Sequence, residues 1–77
     1  MFRVLVVDDE PAAVEYICSM IEKKCPDLTI SATAENGREG LLKFHEYMPD
    51  LIISDVKMPI MDGLDMIKAI KDSGEQV

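Results

Sequence analysis

Apolar positions along this 77-residue chain alternate between two periods. Residues 2–7, FRVLVV, form a short β-branched run of the kind that makes a strand buried on both faces. Pro11 then suits the first turn of a helix, and Val14, Ile17, Cys18, Ile21 and Cys25 recur at helical spacing along one face. Lys23 and Lys24 complement the C-terminal end of that helix, and Pro26 stops it. Residues 28–34, LTISATA, place Leu28, Ile30, Ala32 and Ala34 on one side and Thr29, Ser31 and Thr33 on the other, which predicts a half-exposed edge strand. After a turn at ENG (35–37), a second helix is expected to bury Leu41, Phe44, His45 and Met48 and to end at Pro49. Residues 50–54, DLIIS, predict a third strand. Asp62 then caps a third helix that buries Leu64, Ile67 and Ile70 and closes at Gly74.

The order β-α-β-α-β-α predicts an α/β fold with a parallel sheet and helices on both faces. Right-handed crossovers leave two arrangements, sequential 1-2-3 or doubly wound 2-1-3. The alternating second strand belongs at an edge, whereas the first and third are apolar throughout and belong in the interior, so 2-1-3 is expected. The first and third strands are then neighbours, and their C-terminal ends carry Asp8, Asp9 and Asp55. Ligands of open α/β sheets bind outside the carboxyl ends of strands, where the strand order reverses. Three acids from two separate stretches therefore converge where this architecture puts its chemistry.

Composition narrows the function. Apolar and charged residues are balanced as in an ordinary globular domain, and the length allows one domain, residues 1–77. A formal charge of −7 argues against nucleic acid or an anionic membrane as a partner of this segment. No apolar run has the length of a membrane span, and the acids after the opening stretch do not fit a signal peptide. Cys18 and Cys25 lie seven residues apart on one helix, about 10 Å along its axis, too far to bridge. They are expected as small core residues in a reducing compartment.

Clustered carboxylates repel, and either a retained proton or a cation relieves the repulsion. Oxygen donors without a nearby His or Cys suit Mg²⁺, which keeps several waters and needs only one or two carboxylates. A carboxylate beside that ion can attack phosphorus while the metal neutralises the transferring group. On this reading Asp55 is a phosphoryl acceptor, and Asp8 and Asp9 hold the metal.

LVVDDE (5–10) followed by SDVKMPIMDG (54–63) resembles the receiver domain of bacterial two-component response regulators, from Arg3 to Ser73. The resemblance implies a flavodoxin-like doubly wound sheet and a phosphoacceptor signalling module that is not an enzyme. It implies direct ligation of Mg²⁺ by Asp9 and Asp55, action of Asp8 mostly through a water, and a third protein ligand in the backbone carbonyl of Lys57. The donor it implies is a phosphohistidine on a sensor histidine kinase or a small acyl phosphate, and the location is cytoplasmic. PDLIISDVKMPIMDGL (49–64) also resembles receivers that precede AraC-type effectors, which implies a DNA-binding domain in the full-length protein. Receivers continue into a fourth strand ending in Ser or Thr and a fifth ending in Lys. The chain stops at GEQV, before both, so a truncated sheet and a homo-oligomer are expected of the fragment.

Plainer readings compete with each of these. Asp8 and Asp9 can be capping acids of the first helix, and Asp55 a cap after its strand. Glu10 reads as a solvated acid, His45 as a partly buried helix residue, and the Lys57 side chain as exposed. Met58, Pro59 and Met61 read as loop packing, and Gly63 as backbone freedom beside it. Two other functions remain: a Mg²⁺-dependent aspartyl phosphohydrolase, or a dimerising half-domain without activity. Lys57 occupies the position where such hydrolases usually carry a second acid, which argues against the former.

Overall fold

The computed structural model describes residues 1–55 and 60–72. Six elements follow in the order β1 (Phe2–Val7), α1 (Pro11–Lys24), β2 (Leu28–Ala34), α2 (Gly37–Tyr47), β3 (Leu51–Ser54) and α3 (Gly63–Asp72). The sheet is parallel in the order β2-β1-β3, the doubly wound arrangement expected from the patterning.

The core divides at β1. Val4, Leu5, Val6 and Val7 are at most 1% exposed, so the central strand is covered on both faces. Leu5 and Val7 pack with Ala34, Phe44, Met66 and Ile70, on the face that α2 and α3 cover. Val4 and Val6 pack with Ile21 of α1, and Val14, Ile17, Cys18 and Cys25 complete that layer. The cysteines are free and half-buried, as the helical spacing predicts. Burial pushes the Cys18 thiol above its usual range, with the charge of Glu22 adding to the shift.

Three expectations about facing are corrected. In β2 the pairing runs Val4 with Ile30 and then Leu5 with Ala32, so Ser31 is skipped. This bulge inverts the alternation. Leu28 and Ile30 join the α1 layer, whereas Ala32 and Ala34 face α2 and α3. The Ser31 hydroxyl donates to the Val4 carbonyl at 3.2 Å across the bulge. In α2 the buried stripe is Gly37, Gly40 and Phe44, and His45 is exposed rather than partly buried. Met48 lies beyond the helix as its left-handed C-cap, with φ 47°, and its side chain is exposed. In α3 the buried residues are Gly63, Met66 and Ile70, while Leu64 is 65% and Ile67 41% exposed. Apolar residues occupy two adjacent stripes of this helix, and the sheet accepts only one of them.

The amino end of the sheet is closed by Arg3. Its backbone N–H donates to Asp50 Oδ2 at 2.9 Å and its guanidinium to the Met48 carbonyl at 2.7 Å. The Asp50 N–H returns a bond to the Arg3 carbonyl at 2.9 Å, and β3 itself starts at Leu51, one residue later than the run DLIIS implies. The charge–charge part of this contact is solvent-exposed and long, at 4.0 Å, so the backbone bonds carry its effect.

The bulge yields a prediction. Ser31→Ala removes one hydrogen bond and should cost on the order of 1 kcal/mol. Deleting Ser31 restores regular pairing and turns Leu28 and Ile30 towards the wrong layer. Urea denaturation should show a much larger loss for the deletion than for the alanine variant; equal losses would mean that the bulge does not set the facing of β2.

Candidate functional site

The end of β1 gathers the acids. Val7 is the last residue of the strand, and its carbonyl accepts the N–H of Asp55 at 3.0 Å. The next residue, Asp8, donates its N–H to the Ala34 carbonyl of β2 at 3.0 Å. Pairing on both sides of β1 thus continues one step past the strands and holds the backbones of Asp8 and Asp55 side by side. One carboxylate oxygen from each of Asp8, Asp9 and Asp55 lies within 4.8 Å of the others.

Asp8 is half-buried, and its Oδ1 accepts the Glu10 N–H at 3.0 Å. That bond closes a tight local turn and leaves the second oxygen available. Asp9 and Asp55 are exposed, and among the described residues neither carboxylate accepts a hydrogen bond. The N-cap of α1 is Glu10, which makes no side-chain cap bond, and Pro11 opens the helix. Helix capping therefore does not account for Asp8 and Asp9. It does account for Asp62, whose Oδ1 accepts the Asp65 N–H at 2.9 Å.

The chain around Asp55 is held closely. The Ser54 hydroxyl donates to the Asp55 carbonyl at 2.8 Å, and the backbone of Gly63 lies against the same carbonyl. A Cβ at Gly63 would collide with the Asp55 carbonyl oxygen and lie 3.1 Å from Ser54 Oγ. Gly63 is therefore required for room and not for an unusual backbone conformation. Nearby, the Met61 carbonyl accepts the Gly37 N–H at 2.7 Å, which ties residues 60–63 to the start of α2. A Cβ on Gly37 would strike that carbonyl. Patterning did not single out Ser54 or Gly37, because a serine after a strand and a glycine in a turn are common without such contacts. The Lys57 carbonyl, expected as a metal ligand, and Met58 and Pro59, expected as loop packing, lie outside the described residues.

Three carboxylates without nitrogen or sulfur donors suit a hard cation. Two ligands of one Mg²⁺, each at ~2.1 Å, can be no more than ~4.2 Å apart. The 4.8 Å spread of the three oxygens is within a small side-chain rotation of that limit. Asp8, Asp9 and Asp55 can thus hold one such ion.

Gly63→Ala is expected to destabilise the chain by about 1–3 kcal/mol, the range for overpacking a tight contact. Urea denaturation checks this. An unchanged midpoint would show that the loop yields freely around Asp55.

Residues 4–77 match the response regulator receiver domain family. A protein-glutamate methylesterase/protein-glutamine glutaminase of a Nocardioides species is 39% identical over 75 residues, covering 97% of this chain and 20% of that protein. The chain thus spans about a fifth of that relative's length. The response regulator domain of Thermotoga maritima CheB superposes with a TM-score of 0.88 at 33% identity, over 94% of this chain and 53% of that one. A chain of the CheX–CheY–BeF3–Mg²⁺ complex from Borrelia burgdorferi superposes with a TM-score of 0.85 at 28% identity, over 94% of this chain and 54% of that one. With a family match over nearly its whole length and the fold to go with it, the chain belongs to the response regulator receiver domains.

Proposed function

We propose that Asp55 is the phosphoryl acceptor of a two-component signalling module, with Asp8, Asp9, Asp55 and the Lys57 carbonyl as the protein ligands of Mg²⁺. The convergence of the three carboxylates within 4.8 Å at the carboxyl edge of the sheet carries this reading. The B. burgdorferi complex, which contains Mg²⁺ and BeF3, supports it, since BeF3 resembles a phosphoryl group in shape and charge.

The chemistry follows from what the residues present. An Asp55 carboxylate oxygen attacks the phosphorus of a phosphohistidine, the P–N bond breaks, and the imidazole nitrogen keeps the electron pair. Among the described residues the Asp55 carboxylate accepts no hydrogen bond that would compete for its lone pairs. Its backbone N–H donates to the Val7 carbonyl and its carbonyl accepts the Ser54 hydroxyl, and these bonds hold it in place before the donor arrives. The metal, when bound, offsets the repulsion between an anionic donor and three acids.

The donor we propose is a sensor histidine kinase, and the setting is the cytoplasm. Among the described residues, no helix is long and apolar enough to cross a membrane. We read this segment as a signalling module without catalytic turnover of its own. Receiver domains are often attached to effector domains, and a DNA-binding effector is one output open to the whole protein; the Nocardioides relative is a methylesterase.

Acetyl phosphate tests the acceptor. A form extended to the length of the matched receiver domains should gain one phosphoryl group in the presence of Mg²⁺, read by intact-protein mass spectrometry. Asp55→Asn should abolish the gain, because the amide nitrogen cannot supply the attacking oxyanion while the shape is nearly conserved. Undiminished labelling of the Asn variant would place the acceptor elsewhere.

The isolated 77-residue chain we expect to self-associate. Ile60, Leu64 and Ile67 are exposed, and β3 pairs only with β1 among the described residues. Sedimentation at micromolar concentration should find a two-fold dimer or higher species; a cooperatively folded monomer would refute this.

A further inference from the structure

A groove of about 230 Å³ opens between the start of α1 and the end of β2, on the same edge of the sheet as the acid cluster. Pro11 and Val14 give it apolar walls, the nearly buried Ala34 lies at its base, and Thr33, Glu15 and Glu35 supply its polar atoms. Its position follows from the backbone: α1 begins three residues after Asp8, and the Ala34 carbonyl is the one that takes the Asp8 N–H. Glu15 and Glu35 are both exposed, and among the described residues neither carboxylate has a hydrogen-bond or ion-pair partner.

Size and charge together select the occupant. Small-molecule sites usually enclose about 300–1,000 Å³, so this groove suits a single side chain rather than a whole ligand. An anionic chain is opposed by two glutamates and by the acids beside them. A purely apolar chain would cover the walls but leave both carboxylates without a partner. A long aliphatic stem ending in a cation satisfies both parts, with the stem on Pro11 and Val14 and the head between Glu15 and Glu35. Lys23 and Lys24 lie at the far end of α1, so the chain's own cations on that helix do not reach the groove.

We propose that this groove seats an arginine or lysine side chain of the protein that delivers the phosphoryl group to Asp55. The identity of the partner rests on the reading of Asp55 as acceptor; the chemistry of the groove does not. An anchor of this kind places the donor on the carboxyl edge of the sheet. It also counters the field of the acid cluster, which speeds encounter at low salt and weakens it as salt is raised.

N-acetyl-arginine N-methylamide is a suitable probe, with its neutral citrulline analogue as control. Titrated into ¹⁵N-labelled chain and followed by amide shifts, the arginine compound should give saturable changes at Val14, Glu15, Ala34 and Glu35. Binding should be at least tenfold weaker for the citrulline compound and for the E15Q/E35Q variant. The same changes should appear in D55N, so the groove and the acceptor can fail separately: phosphoryl labelling retained by D55N sinks only the acceptor. Equal binding of arginine and citrulline would overturn the proposal, as would unchanged affinity in E15Q/E35Q or shifts confined to Asp8, Asp9 and Asp55. The comparison of the two compounds on the unmodified chain holds even if the double variant fails to fold.

Discussion

Hydrogen bonding along both edges of β1 is the constraint from which the other parts take their places. Each strand beside it is parallel, so the carboxyl ends of all three fall on one edge, and pairing continues through the Asp8 and Asp55 amides after the strands end. The double coverage of Val4 to Val7 makes this arrangement costly to disturb, since each buried side chain is worth roughly 1.5–3 kcal/mol. An acid placed just past such a strand is held by the core beneath it, while its carboxylate still reaches water.

That division between a rigid base and an open tip suits the acceptor role proposed for Asp55. Asp9 and Asp55 keep oxygens that no described residue engages, whereas Asp8 spends one on the turn before α1. The backbone below is crowded: Gly63 leaves room for the Asp55 carbonyl, Ser54 bonds that carbonyl, and Met61 is tied to Gly37. Position is therefore set by backbone contacts, and among the described residues nothing hydrogen-bonds the Asp9 and Asp55 carboxylates.

The two faces of the sheet are not equivalent. α1 covers one face, and α2 and α3 share the other. The Ser31 bulge lets β2 serve both layers, giving Leu28 and Ile30 to the first and Ala32 and Ala34 to the second. Thr33, Ala34 and Glu35 at the end of β2 meet Pro11, Val14 and Glu15 at the start of α1, and the groove between them carries two glutamates that have no partner among the described residues.

Much of this was legible in the chain itself. A β-branched run needs burial on both faces, a helical stripe needs one apolar wall, and crossovers are right-handed, so the element order, the 2-1-3 sheet and the meeting of Asp8, Asp9 and Asp55 follow from local pattern and handedness. What pattern could not decide was which of two permissible faces wins. Leu64 and Ile67, three apart, fit a helical stripe as well as Met66 and Ile70, four apart, and only contact with the sheet chooses between them. Strict alternation in LTISATA hides a bulge, because a skipped residue leaves no mark on composition. Met48 reads as a continuation of its helix, yet its backbone takes the left-handed cap conformation and Arg3 bonds its carbonyl. Gly63 and Ser54 acquire their roles from atoms distant in sequence or hidden in the backbone, and those distances exist only after the chain has folded.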